Sequence, residues 1–226
     1  MNKQTNGPRR VRAAVFGLAA IASLSLGASG AAASSARTTE PVAWLFDPGT
    51  PIGSSTLVRT DSGISAVFHS SGLPKGSAVT LWFIVFNNPA ACNSSPCGLA
   101  DLLFNLDAQG DFLVADGTVV GGAGTVTMAG HLAVGDARGS AFPEIGMPDR
   151  PIGLSNPRGA QVSLLLHSHG PAVPGQTLKS QISSFTGGCS KFQGDLELPG
   201  SGLADGPEDI PNAVGECSTL QGSVHL

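Results

Sequence analysis

Short apolar runs separated by glycine and proline constrain the fold of this chain more than any other feature of its sequence. The chain has 226 residues, of which 31 are Gly and 16 are Pro. Runs of this kind, bounded by Gly, Pro, Asn and Asp, are typical of antiparallel β-structure. Helices need longer uninterrupted segments. The spacing therefore predicts an all-β fold with little helix.

The clearest predicted strand covers residues 78–86, which are apolar on both faces and rich in β-branched and aromatic side chains. A short helix is predicted over residues 98–106, where leucines recur at helical spacing. A Pro-dense stretch at residues 141–159 predicts a long irregular connection, which suits a Greek-key arrangement. Further strands are predicted at 63–69, 111–115, 118–120, 125–134 and 161–167. We expect an antiparallel β-sandwich (Greek-key) or a closely related barrel with long Pro/Gly-rich loops.

The first 33 residues have the layout of a secretory signal peptide. Four cations and no acid precede residues 13–30, which carry no charge, and alanines at 31–33 offer a cleavage site. Cleavage is predicted after Ala33, with Ala36 as the second choice. A retained membrane anchor is the alternative to removal, and the Arg9-Arg10 pair leaves both the general secretory and the twin-arginine route open. We expect a secreted or extracytoplasmic protein.

The mature chain is predicted to be acidic, with a polar lead at 34–40 and a single disulfide-stapled β domain at 41–226. Removing residues 1–33 takes away four of the 12 cations and none of the 16 anions, which leaves a formal charge of about −8. Because no positive excess is left to neutralise phosphates, nucleic acid is not expected as a partner. No later uncharged run reaches the length of a membrane helix, so no membrane span is expected after signal removal.

The four cysteines all lie in the predicted mature chain, and an even number in an exported protein indicates disulfides. Three pairings are open. The short loop between Cys92 and Cys97 favours that pair, which leaves Cys189 with Cys217. A zinc site built on the cysteines is the alternative, disfavoured by the compartment and the wide spacing.

The five histidines include the pair His167 and His169. On a strand, residues i and i+2 point to the same face about 6.5 Å apart, so both imidazoles can bind one copper or zinc ion. A third ligand is predicted from His131 or His69, each on its own predicted strand. The alternative is a structural role for the pair, in which each ring only hydrogen-bonds at the strand end.

Catalytic motifs of the common hydrolase classes are missing from the sequence. There is no Gly-x-Ser-x-Gly, no His-Glu-x-x-His, no phosphate-binding glycine loop and no spare cysteine. Whether the chain is an enzyme is left open, but the sequence favours a protein that is not one. A hydrolase or isomerase using the Asp-rich loops has no support beyond the presence of those residues.

Residues 167–175 read His-Ser-His-Gly-Pro-Ala-Val-Pro-Gly. This stretch resembles the His-x-His-Gly-Pro-Ala-x-Pro-Gly signature of the CHRD family, which comprises secreted β-domains. The stretch Gly-Leu-Pro-x-Gly at residues 72–76 is similar to a second CHRD element. The resemblance implies a secreted all-β domain without an assigned activity, and it is compatible with a metal linked to His167 and His169.

The leading hypothesis is an exported, non-enzymatic binding or structural module that requires no cofactor. Its extracellular ligand or protein partner and its oligomeric state are left open. The alternative is a secreted copper- or zinc-binding protein that uses the His-x-His strand pair.

Overall fold

The computed structural model describes residues 35–193 and 215–226, so the signal peptide predicted at 1–33 lies outside the described residues. Short helices are α1 (Leu99–Phe104) and α2 (Gln176–Gln181), with 3-10 turns at Pro89–Ala91, Leu106–Ala108 and Phe142–Ile145. The strands in the described part are β1 (Ala36–Trp44), β2 (Asp47–Thr60), β3 (Gly63–Ser70), β4 (Ser77–Phe86), β5 (Gly110–Val119), β6 (Val126–Ala133), β7 (Gln161–Pro171), β8 (Cys189–Gln193) and β9 (Gly215–His225).

One sheet contains all of these strands and curls until it nearly closes into a barrel. Its strand order is β5-β4-β7-β9-β1-β2-β3-β6, and these strands pair antiparallel. Strand β8 lies beside β9 and pairs with it in parallel. The strands at the two ends of this order, β5 and β6, contact each other. The backbone N–H of Ala129 in β6 donates to the Asp116 carboxylate in β5 at 3.0 Å. A Cβ added to Gly130 would lie 2.7 Å from that of Ala115, so only glycine permits this approach. The all-β prediction is confirmed.

Strand β4 contributes side chains to two hydrophobic cores, one on each face of the sheet. All ten of its residues are buried, and successive side chains of a strand point to opposite faces. Val79, Leu81, Phe83 and Val85 belong to the inner core, inside the barrel. Trp82, Ile84 and Phe86 belong to the outer core, which α1 and the connection after β6 cover from outside. The outer core gives the barrel a second apolar layer.

The strands predicted at 63–69, 78–86, 125–134 and 161–167 coincide with β3, β4, β6 and β7, and the two segments at 111–115 and 118–120 form one strand, β5. Most of the polar lead expected at 34–40 belongs to β1, which begins at Ala36 and pairs with β2. Strand β2 has no counterpart among the predicted elements, since Pro and Gly occupy its first half. The tertiary pairing with β1 and β3 outweighs that local signal.

Both predicted disulfides are present, Cys92–Cys97 and Cys189–Cys217. The first closes the loop before α1, and the second joins the start of β8 to β9. None of the helices in the described part of the chain has the length and hydrophobicity of a membrane-spanning segment.

Candidate functional site: an apolar pocket beside a histidine and cysteine cluster

A pocket of about 370 Å³ opens on the outer face of β4, β7 and β9. Its floor includes Ile84 and Phe86 of β4 and Leu165 of β7, all of which point away from the barrel interior. Helix α1 and the turn between β1 and β2 form the side walls. Apolar wall residues from these segments and from β5 are Trp44, Leu45, Pro48, Leu99, Leu102, Leu103 and Phe112. The pocket therefore adjoins the outer core and shares residues such as Ile84, Phe86 and Leu102 with it.

The α1 wall is held in place by one buried carboxylate. Asp101 accepts hydrogen bonds from the backbone N–H groups of Asn93 (2.7 Å) and Gly98 (3.1 Å), which ties the Cys92–Cys97 loop to the helix. The Asn93 donor is the main cause that lowers the Asp101 pKa to about 2. At the other end of α1, Arg150 donates to the carbonyl oxygens of Leu102 and Leu103 at 2.8 and 3.0 Å. Both ends of the wall are thus anchored.

Phe185 closes the pocket on the side of the histidines. Its ring packs edge-on against Trp82 and Phe112, with centroids 5.3 and 5.2 Å away. The same ring stacks on His167 at 4.5 Å. Its backbone N–H donates to the Glu144 carboxylate at 2.9 Å, which fixes the segment that carries it. Phe185 therefore separates the pocket from the histidines behind it.

The pocket offers few polar groups and no charge. Among the described residues that line it, none is Asp, Glu, Lys, Arg or His, and its one cysteine, Cys97, is in a disulfide. The polar side chains among the described lining residues are those of Ser163, Thr219 and Ser223. Such a pocket suits an uncharged, largely apolar molecule that carries one or two hydrogen-bonding groups.

Behind Phe185, His167 and His169 meet the Cys189–Cys217 disulfide. The two histidines project from the outer face of β7, at the i and i+2 positions that the sequence singled out. All four side chains are buried, and their potential metal-binding atoms lie within 4.8 Å of one another. Nδ1 of His169 is 3.6 Å from the sulfur of Cys189 and 3.8 Å from that of Cys217.

Burial keeps both rings neutral, although the hydrogen bond of His169 to Gly187 favours its charged form. The Nδ1–H of His169 donates to the Gly187 carbonyl at 2.8 Å, and its Nε2 accepts from the Thr80 hydroxyl at 2.8 Å. Thr80 in turn accepts from the indole N–H of Trp82 at 2.7 Å. Burial lowers the pKa of His169 to about 4. Burial, and then the nearby His169, lower the pKa of His167 well below its ordinary value.

His131 and His69 lie away from this cluster. Both are on exposed faces of β6 and β3, where His131 bonds to the Ser65 hydroxyl and His69 to that of Thr127, each at 2.9 Å. The structure therefore brings together His167 and His169 but neither of the predicted third ligands. The sulfurs of Cys189 and Cys217 lie beside the two histidines instead. Metal binding at His131 or His69 stays a prediction.

The fifth histidine, His225, was not singled out by the sequence and lies in a polar network inside the barrel. Its Nε2 is 2.8 Å from the Ser55 hydroxyl, and its Nδ1 is 2.8 Å from that of Thr38. Ser55 donates to Ser223 at 2.7 Å. The Ser55 hydroxyl also lies 3.5 Å from the Glu40 carbonyl oxygen, and Ser55 is fully buried. This geometry is that of a structural network and not of an activated nucleophile.

Comparisons with protein-family models, curated proteins and solved structures find no match for this chain. The resemblance to CHRD domains stays a prediction based on residues 72–76 and 167–175. The functional argument therefore depends on the pocket and the cluster themselves.

Proposed function

We propose that this protein is an exported binding module that holds a small, uncharged, largely apolar molecule in the pocket under α1. The observation that carries the proposal is the wall of that pocket, which is built from apolar side chains and has no charged residue among those described. Its volume of about 370 Å³ falls in the range of about 300–1,000 Å³ that is usual for small-molecule sites.

The anchoring of α1 supports a preformed site. Asp101 and Arg150 fix the helix by hydrogen bonds to and from backbone groups, so a ligand does not have to order this wall on binding. The Ser163 hydroxyl gives a bound molecule one polar contact on an otherwise apolar floor. The preferred ligand is therefore an aromatic or aliphatic molecule with one donor or acceptor.

Binding without catalysis is supported by the chemistry of the walls. General acid–base and nucleophilic steps need titratable or activated groups next to the substrate. The described pocket residues offer only hydroxyl groups and a disulfide. The predicted signal peptide, together with two disulfides, supports action outside the cytoplasm.

The test uses N-phenyl-1-naphthylamine, a neutral aromatic probe with one N–H donor whose fluorescence rises in apolar surroundings. The probe is titrated into wild-type protein and into a variant with Leu99→Trp, which adds bulk to the pocket wall. The matched control is Leu106→Trp. Leu106 follows α1 closely but is 68% exposed and does not line the pocket.

We expect saturable binding by the wild type and by Leu106→Trp, and an affinity at least about tenfold weaker for Leu99→Trp, equivalent to about 1.4 kcal/mol. Urea unfolding of all three proteins verifies that they are folded. Absence of saturable binding by the folded wild type, or equal affinity for the two tryptophan variants, contradicts the proposal.

A further inference from the structure

The cluster behind Phe185 contains the donor set of a structural zinc site. Two imidazoles and two cysteine sulfurs are a common ligand set for tetrahedral Zn²⁺. With Zn–S near 2.3 Å and Zn–N near 2.0 Å, tetrahedral donors lie roughly 3.3–3.8 Å apart. The distances of 3.6 and 3.8 Å from Nδ1 of His169 to the two sulfurs fit that spacing. The two sulfurs are bonded to each other and must separate before both can bind one ion.

Each histidine is oriented through its other nitrogen by a threonine hydroxyl. Nε2 of His169 is bonded to Thr80, and Nδ1 of His167 is 3.2 Å from the Thr219 hydroxyl. A metal-bound histidine usually has such a partner, which fixes its ring and its tautomer. In a metal-bound state, Nδ1 of His169 and Nε2 of His167 would be the coordinating atoms. His169 would then give up its hydrogen bond to the Gly187 carbonyl, and its Nε2–H would donate to Thr80.

The disulfide keeps the two sulfurs from acting as thiolates. Zn²⁺ binds thiolate sulfur, and Cys189 and Cys217 are joined to each other in this structure. We propose that reduction of the Cys189–Cys217 disulfide converts this cluster into a buried zinc site formed by His167, His169, Cys189 and Cys217. Disulfide and bound metal are then mutually exclusive states of the same four side chains.

The reaction balances with a dithiol as the reductant. A dithiol transfers two electrons and two protons to the disulfide, which becomes two cysteine thiols while the dithiol becomes a disulfide. Binding of one Zn²⁺ then releases the two thiol protons. His169 exchanges its Nδ1 proton for one on Nε2, which leaves the proton count of that ring unchanged.

The experiment uses the chain with Cys92→Ala and Cys97→Ala, because Cys189 and Cys217 are then the only cysteines. Oxidised and phosphine-reduced samples are titrated without oxygen with Co²⁺, a spectroscopic substitute for Zn²⁺, and then with Zn²⁺. His169→Ala removes one ligand. His131→Ala is the matched control, since His131 is exposed and remote from the cluster.

We expect the reduced sample to bind one equivalent of Co²⁺ with a thiolate-to-cobalt charge-transfer band and the intense visible bands of tetrahedral cobalt. Zn²⁺ should displace it and protect both cysteines from alkylation. The oxidised sample should show neither signal. Affinity should fall at least about tenfold in His169→Ala and stay unchanged in His131→Ala.

Several results would overturn the proposal. These are equal Co²⁺ binding by oxidised and reduced protein, a reduced sample without the thiolate band, or an unchanged affinity in His169→Ala. If the reduced chain unfolds, circular dichroism must show that Zn²⁺ restores the native spectrum. A reduced chain that stays unfolded with Zn²⁺ refutes the site.

Discussion

Acid should destabilise this protein between pH 6.5 and 4, and a substitution of His225 isolates the contribution of one residue. His225 is fully buried, and burial, followed by the charge of Arg59, lowers its pKa from 6.5 to about 4. The hydroxyls of Thr38 and Ser55 contact its two ring nitrogens, and Arg59 donates to its backbone carbonyl. None of these stabilises an imidazolium as a carboxylate would.

The direction of this pH effect on stability follows from proton linkage. Between pH 6.5 and 4 the unfolded chain binds a proton at His225 that the folded chain does not, so stability falls as the pH falls. The contribution is complete above pH 6.5 and is lost by about pH 4. At pH 5 the two pKa values give a loss of about 2 kcal/mol for this residue. His169, with its pKa also near 4, adds a similar amount.

The assay is urea unfolding followed by tryptophan fluorescence at pH 7, 6, 5 and 4.5, with both disulfides intact. In the wild type the free energy of unfolding should decline throughout this range. In His225→Gln the decline should be shallower by about 1.4 kcal/mol per pH unit, the value for one proton. His131→Gln, on the exposed face of β6, is the control and should follow the wild type.

Two results would refute this reasoning. One is a wild-type stability that stays constant from pH 7 to 4.5. The other is a His225→Gln variant with the same pH slope as the wild type. Asp101 and Asp136 contribute little in this range, because their lowered pKa values, each about 2 against 3.8, place their effect below about pH 4.

Two further predictions concern stability at neutral pH. Asp111→Asn should lower the free energy of unfolding by about 2–3 kcal/mol. Asp111 is fully buried, and one of its carboxylate oxygens accepts from the backbone N–H groups of Ile152 and Gly153 at 2.8 and 2.7 Å. Urea unfolding measures the loss, and an unchanged midpoint would argue against the prediction. Replacing Cys189 and Cys217 by alanine should cost about 3.5 kcal/mol, given their separation of 28 residues; a loss under about 1 kcal/mol in thermal or urea unfolding would contradict this entropy argument.

The sequence predicts most of the sheet because the apolar pattern of several strands indicates which of their faces are buried. Strand β4 is apolar on both faces because both faces are covered by a core. Strand β9 escapes prediction because its inward positions Gln221, Ser223 and His225 are polar. They are satisfied by partners distant in sequence, such as Ser55. No local pattern contains that information.

The candidate sites show the same division between local and long-range information. The spacing of His167 and His169 predicts that they share a face of the strand, and in the structure their rings contact each other on one face of β7. Their proximity to Cys189 and Cys217 depends on how the chain after α2 returns over the outer face of the sheet. The pocket likewise arises from β1, β4, β7, β9 and α1 together. Neither arrangement can be derived from spacing along the chain.

The most direct test of the pocket is methyl NMR of the isotope-labelled, disulfide-intact protein during titration with N-phenyl-1-naphthylamine. The proposal predicts saturating shift changes and probe-to-methyl contacts for Ile84, Leu102 and Leu165 in the pocket wall. Val79 and Leu81, on the opposite face of β4 inside the barrel, should show no contacts with the probe. Contacts confined to methyl groups outside the pocket, or no contacts in a folded sample, would contradict the binding function proposed for this protein.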